Sequence, residues 1–358
     1  MDKIIDIGGK IIGRGKSIFI IAEAGVNHNG SLKIAKRLVD VSKQCGADAV
    51  KFQTYTTGNL ILENTDPAPY QQKNADCPKS QFDMLKQYEL TNKQFFILKK
   101  YCDKKGILFL STPHTEDSVD FLDTLVPLYK IGSGDITNIP LLKKIASKNK
   151  PIILSTGMST LDEIREALSA LHSKVILMHC TTSYPCPEKD VNLNVLKTLE
   201  KEFDCLIGYS DHTLGTKAFL MAAKLGAVAL EKHLTVDKKL KGPDHKSSAT
   251  RQELRVAIKK IRRLTHFNQK LDEKILGSFE KKPTEDELQI MRFIRKSIVT
   301  TRDITKGDIF GPHNLSIKRP GTGVSPKEYY NIAQEKRAAC DIKKDSILLS
   351  EMIEGGLQ

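Results

Sequence analysis

No run of eighteen or more apolar residues occurs in this 358-residue chain, and residues 1–16 hold no apolar stretch of the signal-peptide kind. A membrane span and a secretory leader are therefore not expected, and the protein is read as cytoplasmic with no membrane partner. CxxC pairs are also missing: the seven cysteines, an odd number, are spread from Cys45 to Cys340. That argues against a disulfide framework or a metal finger and fits free thiols in a reducing compartment. Aromatic residues make up only 6% of the chain, and no nucleic-acid-binding motif is present. No GxGxxG follows the first apolar segment, which counts against an open dinucleotide-binding sheet.

Acidic residues are in deficit: 56 Lys+Arg against 43 Asp+Glu leave a net charge of +13. Such a surplus suits nucleic acid or an anionic small substrate. The basic residues are scattered along helical stretches such as 255–263 rather than gathered in a tail. Nucleic acid is therefore not expected as a partner.

What is present is alternation. Apolar, β-branched runs at 18–24, 48–54, 107–112, 128–132, 151–155, 174–180, 205–209 and 227–234 read as strands. Amphipathic stretches at 31–45, 91–105, 115–124, 139–148, 160–171, 192–202, 215–225 and 250–267 read as helices. Eight strand–helix pairs are the count of a closed (β/α)8 TIM barrel, here over 18–267. Residues 1–17, with two short apolar runs around Gly8-Gly9, predict a hairpin across the barrel bottom. The insert at 55–80, rich in Asn, Pro and Gln, is long for a connector and reads as a functional lid. Residues 268–291 are charged and read as a linker. Residues 292–358 read as a small second domain, with short strands at 297–300, 315–318 and 347–349.

Each strand candidate ends in polar residues: Glu23, Asn27 and His28; Lys51 and Gln53; Ser111, Thr112 and His114; Lys130, Ser133 and Asp135. The rest follow suit with Ser155 and Thr156; His179, Thr182 and Tyr184; Ser210, Asp211 and His212; Glu231, Lys232 and His233. One polar ending is usually a satisfied strand terminus. Eight of them on one barrel face describe a shared pocket, the face where barrel enzymes carry their chemistry.

His212 and His233 would end neighbouring strands, within reach of one divalent ion that keeps open positions for substrate. Glu231 shares a strand face with His233 and is placed to be a further ligand or to orient one. Lys232 faces the other way, toward the helix layer or the surface. His28 and His179 lack such a partner and read as ordinary core or solvated histidines. Lys51 and Lys130 would be ammonium groups in a barrel mouth, ringed by the hydroxyls of Thr112, Ser133, Ser155 and Ser210. Cations with several hydroxyls form a cradle for phosphate or carboxylate. The ordinary alternative is that each lysine pairs with an acid such as Glu23 or Glu231.

The motifs IIAEAGVNHNG, ADAVKFQT, LSTPHTEDSVDFL, YKIGSGD, PIILSTGM, GYSDHT, LEKHLT and GPDHKSS closely resemble the sialic-acid (nonulosonate) synthase family. The tail RKSIV…TKGDIF…KRPGTGVSP is similar to that family's C-terminal SAF, or antifreeze-like, domain. The resemblance implies condensation of phosphoenolpyruvate with an N-acetylated mannosamine-type aldose to a nine-carbon 2-keto acid. It implies His212 and His233 as ligands of Mn2+, or of another divalent ion such as Mg2+ or Co2+. It implies Glu23 as the acid/base residue, supported by Glu231, and Lys51, Thr112, Lys130, Ser133, Ser155 and Ser210 as the phosphoenolpyruvate cradle. Gln53, Asn74, Tyr184 and Asp244 match sugar-side positions. Arg319 matches an arginine placed over the partner's site in a domain-swapped homodimer.

The chain departs from the pattern of some N-acetylneuraminate synthases at the sugar side. Asp135 stands where they have Glu, Thr182 where they have Asn, and His114 where Phe is usual. These changes favour a modified sugar such as the 2,4-diacetamido precursor of legionaminate. Rival readings are a KDO-8-phosphate or DAHP synthase, which would need a second phosphate site, and a non-enzymatic nucleic-acid- or ice-binding protein.

Overall fold

The computed structural model describes residues 3–68, 71, 80–263 and 271–357. Two strands, β1 (Ile4–Ile7) and β2 (Lys10–Gly13), pair antiparallel through the two-residue loop Gly8-Gly9. Both glycines have positive φ (58° and 83°), the conformation such a tight hairpin requires. The hairpin lies across the bottom of the barrel as expected: Ile5, Ile7 and Ile12 pack on the interior residues Phe19, Ile153 and Ile176.

The barrel strands are β3 (Phe19–Gly25), β4 (Ala49–Thr54), β5 (Leu108–Pro113), β6 (Tyr129–Ile131), β7 (Ile152–Ser155), β8 (Val175–His179), β9 (Leu206–Asp211) and β10 (Ala229–His233). They form one parallel sheet in the order β5-β4-β3-β10-β9-β8-β7-β6, and β5 packs beside β6 to close the ring. Almost every strand residue is buried, as an all-parallel sheet covered on both faces demands. Each predicted strand is found within a few residues of its expected bounds.

The covering helices begin where the sequence can cap them. After α1 (Leu32–Cys45), capped by Ser31, come α2 (Thr57–Leu60), α3 (Gln81–Tyr88) and α4 (Asn92–Lys105). Then follow α5 (Glu116–Leu122), α6 (Ile139–Ala146), α7 (Leu161–Leu171), α8 (Val195–Glu202), α9 (Lys217–Lys224) and α10 (Arg251–Ile261). Thr91, Thr160 and Thr250 each form a capping box with the Gln or Glu three residues on, pairing two otherwise orphan donors at α4, α7 and α10. The described cysteines are all free. No helix among the described residues is long and apolar enough to cross a membrane.

The segment expected as a linker is folded wherever it is described. It carries α11 (Glu273–Leu276) and α12 (Glu285–Ile294), with Ile275, Lys281, Glu287 and Ile290 buried. Its charges mostly face water, and that composition masks the few residues that pack inward. Beyond it, β11 (Ser297–Thr300) and β12 (Leu315–Lys318) pair antiparallel over a small core that includes Ile298, Phe310, Ile332 and Leu348. The third strand expected there does not form a ladder. Leu348 divides its backbone bonds, donating to Ile298 and accepting from Val324. This C-terminal domain is stitched to the 55–80 insert by Arg319 N donating to Leu60 O and Leu62 N donating to Arg319 O.

Candidate active site

Strand register gathers the site. Glu23 on β3 stands beside Lys51 on β4 and His233 on β10, and Glu231 on β10 stands beside Ser210 on β9. Register partners in a parallel sheet point to the same face, here the barrel interior at its C-terminal end. At its top lies a cavity of about 150 Å³. It is lined by Glu23, Lys51, Gln53, Thr112, Lys130, Ser133, Ser155, Thr182, Tyr184, Ser210, His212, Glu231, His233, Asp244 and Arg319. A larger cavity of about 680 Å³ lies between residues 58–66 and the C-terminal domain, and it contains none of the strand-end residues. The smaller one holds the chemistry.

Four buried charges form its floor. Lys51 Nζ lies 2.7 Å from Glu23 Oε2 and 3.7 Å from Glu231 Oε1, and it donates to Thr112 Oγ1 at 3.3 Å. Lys130 Nζ lies 3.5 Å from Glu231 Oε1 and donates to Ser155 Oγ at 2.7 Å. The lysine–acid pairs that an ordinary structural role would require are thus present. They are unequal, however. Burial, with Glu231 nearby, raises the Glu23 carboxyl to about 7 against the pull of Lys51. Against its own burial, Lys130 and Lys51 hold Glu231 down at about 2. Burial lowers Lys130, whereas Glu23 and Glu231 raise Lys51 in spite of its burial. Near neutrality, two ammonium groups therefore face one firmly ionised carboxylate and one half-protonated one. That excess of positive charge invites an anion.

His212 and His233 stand beside this floor with ring centroids 5.6 Å apart. His212 Nδ1 lies 2.7 Å from the Thr181 carbonyl, which can only accept, so the proton is on Nδ1 and the lone pair on Nε2. His233 Nδ1 is buried without a hydrogen bond and lies 3.8 Å from Asp244 Oδ2. Burial lowers both imidazoles, keeping them neutral, the form that ligates metals. Among the described residues, no group of three or more His, Cys, Asp or Glu is arranged to hold an ion. The pair of neutral imidazoles by itself would fit a divalent ion only with water and substrate completing its shell. Gly25, at φ 50°, leaves the space beside His233, Gln53 and Glu23 that a Cβ would enter at 3.4–3.5 Å. Gln53 Nε2 donates to Glu23 Oε1 at 3.3 Å, and the Tyr184 ring lies over His212 at 4.4 Å between centroids.

The remaining expectations have mixed outcomes. Asn74 lies outside the described residues. Asp135 does not face the cavity: its Oδ1 is 2.7 Å from Lys296 Nζ and accepts from Asn138, and its Oδ2 meets His114 Nδ1 at 3.2 Å. A carboxylate as short as Asp is fully taken up by these neighbours. Of the two places expected for Lys232, it takes the helix-layer side and not the surface: it is buried, with Nζ 2.7 Å from Asp211 Oδ2. His28 and His179 are buried core histidines, His28 Nδ1 accepting from Gly30 N and His179 Nε2 bonding to Val191 O. Arg319, assigned to a partner's site, lies over the cavity of its own chain.

Two contributors escaped the sequence reading. Glu287 Oε1 accepts from Met158 N and Thr182 N, both at 2.7 Å, fixing the loops after β7 and β8. Thr284-x-x-Glu287 is a legible capping box, but nothing in it announces that Glu287 also reaches the barrel. Lys296, from the C-terminal side, pins Asp135 and also bonds to the His114 carbonyl.

Residues 38–272 match the NeuB family, and residues 295–354 match the SAF domain. The chain is 43% identical to N,N'-diacetyllegionaminic acid synthase of Legionella pneumophila, over 97% of this chain and 98% of that one. It is also 43% identical to the protein of the same name from Campylobacter jejuni, over 93% and 99%. The crystal structure of the Bacillus subtilis spore coat polysaccharide biosynthesis protein spsE superposes with a TM-score of 0.84 at 34% identity, covering 98% of this chain and 99% of that one. The chain belongs to the NeuB family, with a barrel followed by a SAF domain.

Proposed function

We propose that this chain condenses phosphoenolpyruvate with an N-acetylated, mannosamine-type aldose, yielding a nine-carbon 2-keto acid and phosphate. A diacetamido aldose and an N,N'-diacetyllegionaminate product are the specific form of this reading, supported by the two relatives of that name. The observation that carries it is the buried cluster of Glu23, Lys51, Lys130 and Glu231 directly beside His212 and His233. The lysines and the hydroxyls of Thr112, Ser133, Ser155 and Ser210 receive the phosphate and carboxylate of phosphoenolpyruvate. Gln53, Asn74, Thr182, Tyr184, Asp244 and Arg319 are assigned to the sugar.

His212 and His233 would hold Mn2+, or another divalent ion such as Mg2+ or Co2+, which when bound polarises the aldehyde oxygen. In the first step C3 of phosphoenolpyruvate attacks the aldehyde carbon. Glu23, half-protonated near neutrality, gives its proton to the oxygen that becomes a hydroxyl. Water then adds to C2 and returns a proton to Glu23, after which the bond from C2 to the phosphate oxygen breaks as the new C2 hydroxyl gives its proton to the departing phosphate, leaving the C2 ketone. Glu231 holds the positions and charges of Lys51 and Lys130 through both steps.

A homodimer with exchanged SAF domains belongs to the same reading. Swapping exchanges identical elements, so contacts drawn within one chain, such as Arg319 with Leu60 and Leu62, are those a swapped dimer makes between two. Mass spectrometry of products formed from phosphoenolpyruvate and a panel of N-acetylated hexoses tests the reaction. Turnover confined to phosphorylated sugars would move the assignment to the KDO-8-phosphate or DAHP class.

A further inference from the structure

His114 follows β5, which stands four strands from β9 in the eight-strand order, so it faces His212 across the barrel mouth. Its Nδ1 lies 3.2 Å from Asp135 Oδ2. Asp135 is in turn held ionised by Lys296 at 2.7 Å and by the Asn138 amide at 3.1 Å. An ionised carboxylate only accepts, so Nδ1 must donate, and the lone pair of the neutral ring is left on Nε2. Burial outweighs the opposing pull of Asp135 and lowers the imidazole to about 4, so the ring stays neutral at physiological pH. Nε2 makes no hydrogen bond to the described residues.

The His114 ring has Asp135, Lys296 and Arg319 around it, and one apolar side. The Tyr55 ring stands 6.2 Å from His114 and belongs to a buried cluster with Val26, Met84, Leu85 and Tyr88. A sugar hydroxyl placed here can donate to Nε2 but turns its own lone pairs toward hydrocarbon. A secondary amide suits the site better: its N–H meets Nε2 and its methyl meets the cluster, while Arg319 on the same cavity offers donors for the acetyl oxygen. An aldose with its reacting carbon beside His212 and His233 directs its far carbons, not C2, toward His114.

We propose that His114 is a specificity-determining residue that accepts the N–H of a second acetamido group, remote from the aldehyde, with Asp135 and Lys296 as positioning residues acting through it. The inference rests on the aldose-condensing reading of the site. Its substrate class is a 2,4-diacetamido hexose in preference to a 2-acetamido hexose with a free 4-hydroxyl.

The test compares kcat/KM for these two sugars, with phosphoenolpyruvate saturating. The wild-type protein should prefer the diacetamido sugar by about tenfold or more, the effect of leaving a buried polar group without its partner. His114→Phe should bring the ratio within about threefold, with the KM for phosphoenolpyruvate unchanged. His114→Gln, which keeps an acceptor, should retain part of the preference. Asp135→Asn frees the tautomer and should erode the ratio too; it serves as the readout if the Phe variant does not fold. A uniform loss with both sugars, or a wild-type protein that does not prefer the diacetamido sugar, overturns the proposal. Inactivity of the wild-type protein on both sugars overturns the aldose reading itself.

Discussion

Lys232 Nζ lies 2.7 Å from Asp211 Oδ2, and each residue immediately precedes one of the paired histidines. Asp211 also accepts from Thr213 N and Oγ1, and Lys232 donates to Thr213 O, so the residues on both sides of His212 are tied to the strand that carries His233. Removing one member of a buried pair leaves the other uncompensated, at a cost of about 3–5 kcal/mol. Lys232→Met should lose that much in urea unfolding, and adding Asp211→Asn should recover part of it. A single variant as stable as wild type would show that the pair is incidental.

In the proposed reading two imidazoles hold the metal with little redundancy behind them. His212→Ala and His233→Ala should each abolish most Mn2+ binding by calorimetry while the fold survives. Excess chelator should stop turnover, and added Mn2+ should restore it. Full activity in chelator contradicts the ligand assignment.

Glu23 carries a pH signature. Its carboxyl titrates near 7, and the first step uses its protonated form, so kcat should fall as pH rises through that value. Glu23→Gln should retain phosphoenolpyruvate binding but turn over ~10²-fold more slowly or worse, without that limb. The same group affects stability in a definite sense. Its folded value lies above the ordinary carboxyl value of 4.5, so its contribution is full below about 4.5 and is lost as pH rises to about 7. A Gln variant whose pH–rate profile matches wild type would reassign the proton.

Arg319→Ala should raise the KM for the aldose more than that for phosphoenolpyruvate. Mixed with His233→Ala under conditions where subunits exchange, it should regain activity, because some sites then lack neither residue. Exchange without recovery would mean that Arg319 serves only the barrel of its own chain.

The barrel was legible because its signals are local and repeated. Buried β-branched runs such as Ile152–Ser155 alternate with helices whose caps, at Ser31, Thr91, Thr160 and Thr250, stand in the sequence itself. The strand-end residues were legible for the same reason, since a strand's end fixes which face of the barrel they reach. Orientation beyond the end was not. Asp135 has the right address but turns to Lys296, 161 positions further on and placed there only by the tertiary fold. Glu287 sits in a stretch whose surrounding charge reads as solvated linker, and its role depends on backbone N–H groups that no side-chain pattern reveals.

The Gly8-Gly9 hairpin has a kinetic consequence. Ile5, Ile7 and Ile12 cover the lower end of the packed barrel interior, so among the described residues the cavity is reached from the strand-end face. Lys51, Lys130 and Glu231 lie at the foot of that passage, while Arg319 overhangs its entrance. In the proposed arrangement, the sugar sits above whatever binds the lysines, which must then enter first. On this arrangement steady-state kinetics should therefore be ordered, with phosphoenolpyruvate binding first and the sugar second.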